Sequence, residues 1–186
     1  MKGRHWMTIL LLVLLGAGNG YWYYLDWRDH SQDLPILAAS QRYGVEPALV
    51  KAVVWRESRF NATARGSRGE IGLMQVLPKA AGRDWAAAEH AQLASAALLD
   101  PRTNAIVGAW YLERLLKRYA QTDRPMAYVL ADYNAGRSNV LKWMQGAGAT
   151  NSAVFLEQIN FPSTHNYVVS VLRRYEHYRP IFPPKS

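Results

Sequence analysis

The chain contains no cysteine. That absence excludes a thiol nucleophile, a disulfide framework, a Cys-ligated metal and the acylated N-terminal cysteine of a lipoprotein. Stability must come from packing instead. The five histidines are scattered, with no His-Glu-x-x-His pair, so no metal site is expected. A phosphate-cradling Gly-Lys-Ser/Thr loop is missing, and Gly66-Ser67-Arg68-Gly69 is not a Gly-x-Ser-x-Gly elbow. Gly16, Gly18 and Gly20 follow no strand and lie in no βαβ unit, which rules out a dinucleotide motif. There is no zinc-finger or other nucleic-acid signature. No stretch is rich in strand formers and nothing repeats. Helical patterns joined by short loops imply a compact, mostly α domain.

The 186 residues suffice for one domain with a sizeable core and an N-terminal segment. Lys2 and Arg4 precede an apolar run from Trp6 to Leu15, the pattern of an export signal. Two readings compete for residues 1–27. Small residues around Gly18 or Gly20 offer a signal-peptide cleavage site. Alternatively Trp6 to Leu25 spans a bilayer as a signal-anchor, being about the ~20 residues required. The aromatic cluster from Tyr21 to Trp27 would then lie at the outer interface, with Lys2 and Arg4 in the cytoplasm. The cluster, and the lack of an Ala-x-Ala site, favour the anchor. Residues 28–186 form the working domain.

The most informative stretch runs from Trp55 to Pro78. Pro47 suits the first turn of a helix, and Leu49, Val50, Val53 and Val54 recur at helical spacing. Glu57 falls near the C-terminal end of that helix, where partial negative charge disfavours an ionised carboxylate. Burial beside Trp55, Phe60 and Met74 would act in the same sense. A Glu kept protonated near neutral pH can serve as a general acid. The plainer reading is a surface Glu paired with Arg56 or Arg59. A polar loop from Asn61 to Gly69 follows, then Gly72-Leu73-Met74-Gln75.

Glu57-Ser58, Gly72-Leu73-Met74-Gln75, Tyr133-Asn134-Ala135-Gly136 and Tyr167-Val168 occur in this order. Together they resemble the motifs of soluble-type lytic transglycosylases, relatives of goose-type lysozyme that cleave bacterial peptidoglycan. The resemblance covers residues 34–178. It implies a lysozyme-like helical domain with a catalytic cleft and Glu57 as the catalytic acid. It also implies that Met74 and Gln75 line the cleft, that Tyr133 and Asn134 position the sugar, and that Tyr167 lies nearby. Ser67 is the nearest match to a loop serine that binds the sugar or its peptide; a plain turn serine fits equally well. Two departures stand out. Asp132 occupies a position that is usually small, and is either a second cleft carboxylate or a side chain turned away onto the backbone. Ser163-Thr164 replaces a Glu-Thr pair, leaving Thr164 as a possible helix cap.

The remaining chain reads as connected helices. Asp33 caps a helix with Pro35 in its first turn, and Gly44 stops it. Pro78 opens a helical stretch broken near Gly82, and Asp84, Glu89 and His90 are taken as solvated. Asp100-Pro101 reads as N-cap and first turn of a long helix to about Ala120, expected to be the spine of the core, with Glu113 and Lys117 as a surface pair. Further helices are expected from Pro125 to Tyr133, from Ser138 to Gln145, and through Val168, Val171, Leu172 and Tyr175 to Pro180. An extended tail, Phe182-Pro183-Pro184, closes the chain.

The formal charge is +8; Lys2 and Arg4 against Asp26 account for one unit, leaving +7 for residues 28–186. A basic body favours anionic partners such as cell-wall peptides or anionic lipid. Ordinary glycosidases use two carboxylates, and this sequence offers one strong candidate. The resemblance implies that the substrate makes up the shortage. Glu57 would protonate the bond between N-acetylmuramic acid and N-acetylglucosamine, then deprotonate the muramoyl 6-hydroxyl to give a 1,6-anhydro product. No cofactor is implied, no nucleic acid is expected, and the chain is read as a monomer on the periplasmic side of a bacterial inner membrane. A hydrolytic muramidase and a non-catalytic, membrane-tethered wall-binding protein are the alternatives.

Overall fold

The computed structural model describes residues 2–183, with backbone alone for residues 2–5 and 8. Pro184, part of the expected tail, lies outside the described residues. The chain divides after Gln32 into two compact units. The first holds one helix, α1 (Lys2–His30). Its side chains Trp6, Met7 and Ile9 to Leu15 are exposed. Among the described residues no helix is long and apolar enough to cross a membrane. All of the expected span from Trp6 to Leu25 lies within α1.

The second unit is helical, with α2 (Asp33–Tyr43), α3 (Pro47–Ser58), α4 (Arg83–Ala88), α5 (Pro101–Arg118), α6 (Pro125–Ala135), α7 (Arg137–Trp143), α8 (Ser152–Gln158) and α9 (Pro162–Tyr178). Among the described residues β pairing is limited to isolated bridges, Arg65 with Ile71 and Ile71 with Val76. Every residue from Ala48 to Val54 of α3 is buried. A helix buried around its whole circumference belongs inside a core, and α3 packs against both α2 and α9. Helix α3 is therefore the most enclosed element, more so than the expected spine, α5. Helix α5 contributes one face, including Val107, Trp110, Leu112 and Leu115. It packs against α2 and α6.

A cation lies deep in this core. Lys51 is 1% exposed, and its Nζ donates to Asp33 at 2.7 Å. It also stands 4.3 Å from the ring centre of Phe182. A buried ammonium needs such partners, and Phe182, itself buried, packs onto α3 rather than standing in an extended tail.

Local signals set most boundaries. The Asp100 carboxylate accepts from the Thr103 backbone N–H at 2.8 Å, the expected N-cap of α5. Gly44 leaves α2 at φ +65°, a conformation open to glycine. Glu113 and Lys117 pair along α5. Elsewhere tertiary contacts override the local reading. Glu89 is not simply solvated: its carboxylate accepts from Arg42 and Tyr43. The stretch after Pro78 is not broken at Gly82, since a wide turn, Pro78–Gly82, runs directly into α4. Helix α9 starts at Pro162, with Phe161 at the N-cap position. Thr164 therefore lies inside its first turn and does not cap.

Candidate active site

Glu57 is the penultimate residue of α3. The chain leaves that helix through Arg59 and Phe60, at φ +52° and +65°. Side-chain-bearing residues seldom adopt this left-handed region, and strain of this kind gathers at functional sites. Phe60 is buried and anchors the exit. The loop then folds back on itself. Gly66 N–H donates to Glu70 O at 2.8 Å, and Gly72 N–H donates to Ala64 O at 2.8 Å.

Asn104 of α5 fastens this loop to the core. Its Nδ2 donates to Ile71 O at 2.7 Å and to Leu98 O at 2.8 Å. Its Oδ1 accepts from Met74 N–H at 2.8 Å. Gly72 permits that approach, since a Cβ there would lie 2.2 Å from Asn104 Nδ2. Gln75, at φ +47°, is held by its own amide donating to Gly72 O at 2.9 Å.

These elements enclose a cavity of about 310 Å³ whose lining includes Glu57, Glu70, Gln75, Tyr111, Tyr133 and Asn134. The Tyr167 hydroxyl donates to Glu57 Oε1 at 2.7 Å. Burial raises the Glu57 pKa to about 7, against the Tyr167 hydrogen bond and the Arg56 charge, with the Glu70 charge assisting the rise. Glu57 is thus poised to hold or release a proton near neutral pH, the range suited to acid–base catalysis. Glu57 is enclosed in the cavity wall and is not the surface residue of the plainer reading. Arg56 Nε donates to Ser170 Oγ at 3.0 Å, and the Arg59 guanidinium lies 3.5 Å from the Trp55 ring centre.

The Tyr133 hydroxyl donates to Met74 O at 2.8 Å, and its ring tilts against Tyr111 at 5.5 Å. Asn134 Oδ1 accepts from the Thr164 hydroxyl at 2.9 Å, so α9 orients it. Of the residues expected in the site, Glu57, Gln75, Tyr133 and Asn134 line the cavity. Tyr167 lies behind Glu57, 1% exposed. Ser67 is exposed on the turn from Gly66 to Gly69 and lies outside the lining.

Met74 departs from the cleft reading. It is fully buried and packs against Gly108, where a Cβ would lie 2.3 Å from its sulfur. Only its backbone carbonyl serves the site. Asp132 is also settled differently from both expectations. It belongs to the cavity wall, yet Oδ2 accepts from Arg118 Nη1 at 2.8 Å and from the Tyr119 hydroxyl at 2.7 Å. Oδ1 is shut off from solvent, so the carboxylate is tied to side chains and not to the backbone.

Sequence reasoning missed Glu70 and Tyr111. Tyr111 had a signal: Asn104, Gly108 and Tyr111 share one face of α5 at helical spacing, a polar and small stripe among apolar residues. Glu70 had none beyond adjacency to Ile71-Gly72. Among the described residues no group of His, Asp and Glu is arranged to hold a metal ion.

Tyr167→Phe should raise the Glu57 pKa above about 7, because the lost hydrogen bond favours the ionised form. The alkaline limb of the activity profile should then move to higher pH. An unmoved limb would show that this bond does not tune the acid.

A raised carboxylic acid under aromatic hydroxyls, at the edge of an open cleft in a helical domain, defines the lysozyme-like class. The comparisons specify it further. Residues 35–156 match the transglycosylase SLT domain, and the chain belongs to that family. It is 35% identical over 125 residues to membrane-bound lytic murein transglycosylase C of Pectobacterium atrosepticum, covering 64% of this chain and 35% of the relative. It is 33% identical over 130 residues to the soluble lytic murein transglycosylase of Escherichia coli K12, covering 69% of this chain and 20% of the relative. The chain thus spans about a third or less of the length of these relatives. The 70 kDa soluble lytic transglycosylase structure from Escherichia coli superposes with a TM-score of 0.70 at 28% identity, over 80% of this chain and 24% of that one. An inactive variant of lytic transglycosylase Slt from Pseudomonas aeruginosa gives 0.71 at 25% identity, over 82% and 24%.

Proposed function

We propose that this chain is a peptidoglycan lytic transglycosylase. It cleaves the β-1,4 bond between N-acetylmuramic acid and N-acetylglucosamine and leaves a 1,6-anhydro-muramoyl end. The observation that carries this reading is Glu57, enclosed, hydrogen-bonded by Tyr167 and raised to about 7 at the cavity wall. Glu57 first gives its proton to the glycosidic oxygen, and the C1–O bond breaks with its electron pair leaving on that oxygen. The muramoyl N-acetyl group shares the positive charge at C1. Ionised Glu57 then takes the proton of the muramoyl 6-hydroxyl as its oxygen closes onto C1. No water is consumed, no cofactor is required and the acid is regenerated. Gln75, Tyr133 and Asn134 hold the sugar for this closure.

The excess of 22 Lys and Arg over 14 Asp and Glu suits a polymer whose peptides carry free carboxylates. Residues 1–27 act as an export segment, as a signal peptide or a retained anchor, and place the domain on the periplasmic side of the inner membrane. The mass of the protein recovered from membrane and soluble fractions tests this, because a chain retaining its residues 1–27 is tethered and a chain lacking them is released.

Digestion of purified peptidoglycan tests the activity. Muropeptides lighter by one water than the hydrolytic products are expected from the full chain. Reducing-end products instead would make it a muramidase. Binding to peptidoglycan without release would make it a wall-binding protein.

A further inference from the structure

We propose that Glu70 is a second working carboxylate of this cleft: an ionised group, fixed in the same cavity as Glu57, that stabilises the positive charge formed at the anomeric carbon. The proposal rests on the glycan-cleaving reading above.

Carboxylates are seldom buried without a partner and a reason. Glu70 is 9% exposed and lines the cavity. Its position is fixed by the loop that carries it. Oε1 accepts from Arg68 Nε at 2.8 Å, and Oε2 accepts from Arg68 backbone N–H at 2.9 Å. The glycine at position 66 lets the carboxylate in. A Cβ there would lie 2.3 Å from Glu70 Oε2 and 2.8 Å from Gln75 Oε1. The loop therefore brings the Glu70 carboxylate and the Gln75 amide oxygen together over one glycine, beside the acid. A salt bridge serving only to staple the loop would not need to line the cavity.

The two carboxylates are driven apart in protonation. The backbone N–H groups of Glu70 and Arg68 and the Arg68 guanidinium outweigh burial and hold Glu70 below the usual carboxylate range. Burial pushes Glu57 upward, and the Glu70 charge adds to that push. The groups facing Glu57 are Tyr167 and Tyr133, the cations Arg56 and Arg68, and Glu70. One neutral donor and one fixed anion in a single cleft is the arrangement that separates acid from charge stabiliser.

In the reaction, Glu70 forms no bond. The Glu57 proton goes to the departing oxygen, and C1 and the ring oxygen share the resulting positive charge. The Glu70 anion lowers the energy of that state until the 6-hydroxyl closes and returns its proton to Glu57. A preorganised charge in a partly dry site is effective in this way because it needs no reorganisation.

The test uses the full chain on purified peptidoglycan. Glu70→Gln keeps the size and one acceptor oxygen and removes the charge. Its kcat should fall by roughly 10- to 100-fold, with KM changed by less than about threefold. The alkaline limb should move to lower pH, since Glu57 loses a neighbouring anion and Arg68 is left uncompensated. A carboxyl carbon titration of Glu57 by NMR should show the same downward shift without any turnover. Glu70→Asp, which keeps the charge, should recover most of the rate. Wild-type kcat and pH profile in Glu70→Gln would overturn the proposal while leaving the transglycosylase reading intact. Equal losses in Glu70→Gln and Glu70→Asp would also overturn it, by showing a loop staple. No release by the unaltered chain would defeat the cleavage reading and this proposal together.

Discussion

Glu57→Gln is expected to reduce release of muropeptides by about 10²- to 10⁴-fold, the range of a lost general acid, while binding to peptidoglycan persists. Gln fills the same space and can still accept from the Tyr167 hydroxyl, so the cleft should keep its form. The same substitution should affect stability in the opposite sense. The folded-state pKa of Glu57 is about 7, against 4.5 for the free side chain. Below about pH 4.5 Glu57 is protonated in both states and costs nothing. As pH rises from there, the unfolded chain ionises first, and the native state loses stability until Glu57 itself ionises near pH 7. The full loss is of order 3 kcal/mol at pH 8. Glu57→Gln should therefore unfold at higher urea concentration than the unaltered chain at pH 8, with little difference at pH 4. A Gln variant that cleaves normally would remove Glu57 from the mechanism. Equal urea midpoints at pH 8 would show that the acid is not buried as described.

The second large effect is expected at Asn104, which touches no substrate. It is fully buried, and it holds Met74 N–H, Ile71 O and Leu98 O. Asn104→Ala leaves the Met74 N–H without its partner and empties the space that Gly72 keeps open. Loss of these buried hydrogen bonds should lower stability by about 3 kcal/mol. Activity should fall further than the folded fraction accounts for, because the Met74 carbonyl receives the Tyr133 hydroxyl. Urea unfolding and kcat measured on the same preparation separate the two effects. A folded Asn104→Ala protein with normal kcat would show that the loop holds its form without the amide.

The resemblance in the sequence extended to the fold and to part of the site. Glu57 was legible because its position depends on local rules: a proline start, helical spacing and a polar exit. Gln75 stood out as an amide in an apolar run, and Tyr133-Asn134 as the end of a helix. Met74 was misread because the motif is compact and its four residues do not share a direction. Only the close approach of Gly108 determines that the sulfur faces the core.

Three further features became visible in the folded chain alone. Asp132 was recognisable as a departure, but its tie to Arg118 and Tyr119 joins α6 to the end of α5. Thr164 was read as a cap, yet its partner is Asn134, 30 residues away in sequence. Glu70 carried no signal, because a surface Glu and a cleft Glu look alike until burial and an aligned Arg68 distinguish them.

The sequence by itself determined what depends on neighbours along the chain: helical periodicity, caps and stops, the absence of thiols, and the residue types of the motifs. The tertiary structure decided which side chains face the cleft and what surrounds Glu57 and Glu70. Burial, opposing charge and shared hydrogen bonds come from residues far apart in sequence, and those are the forces that make one carboxylate an acid and another an anion.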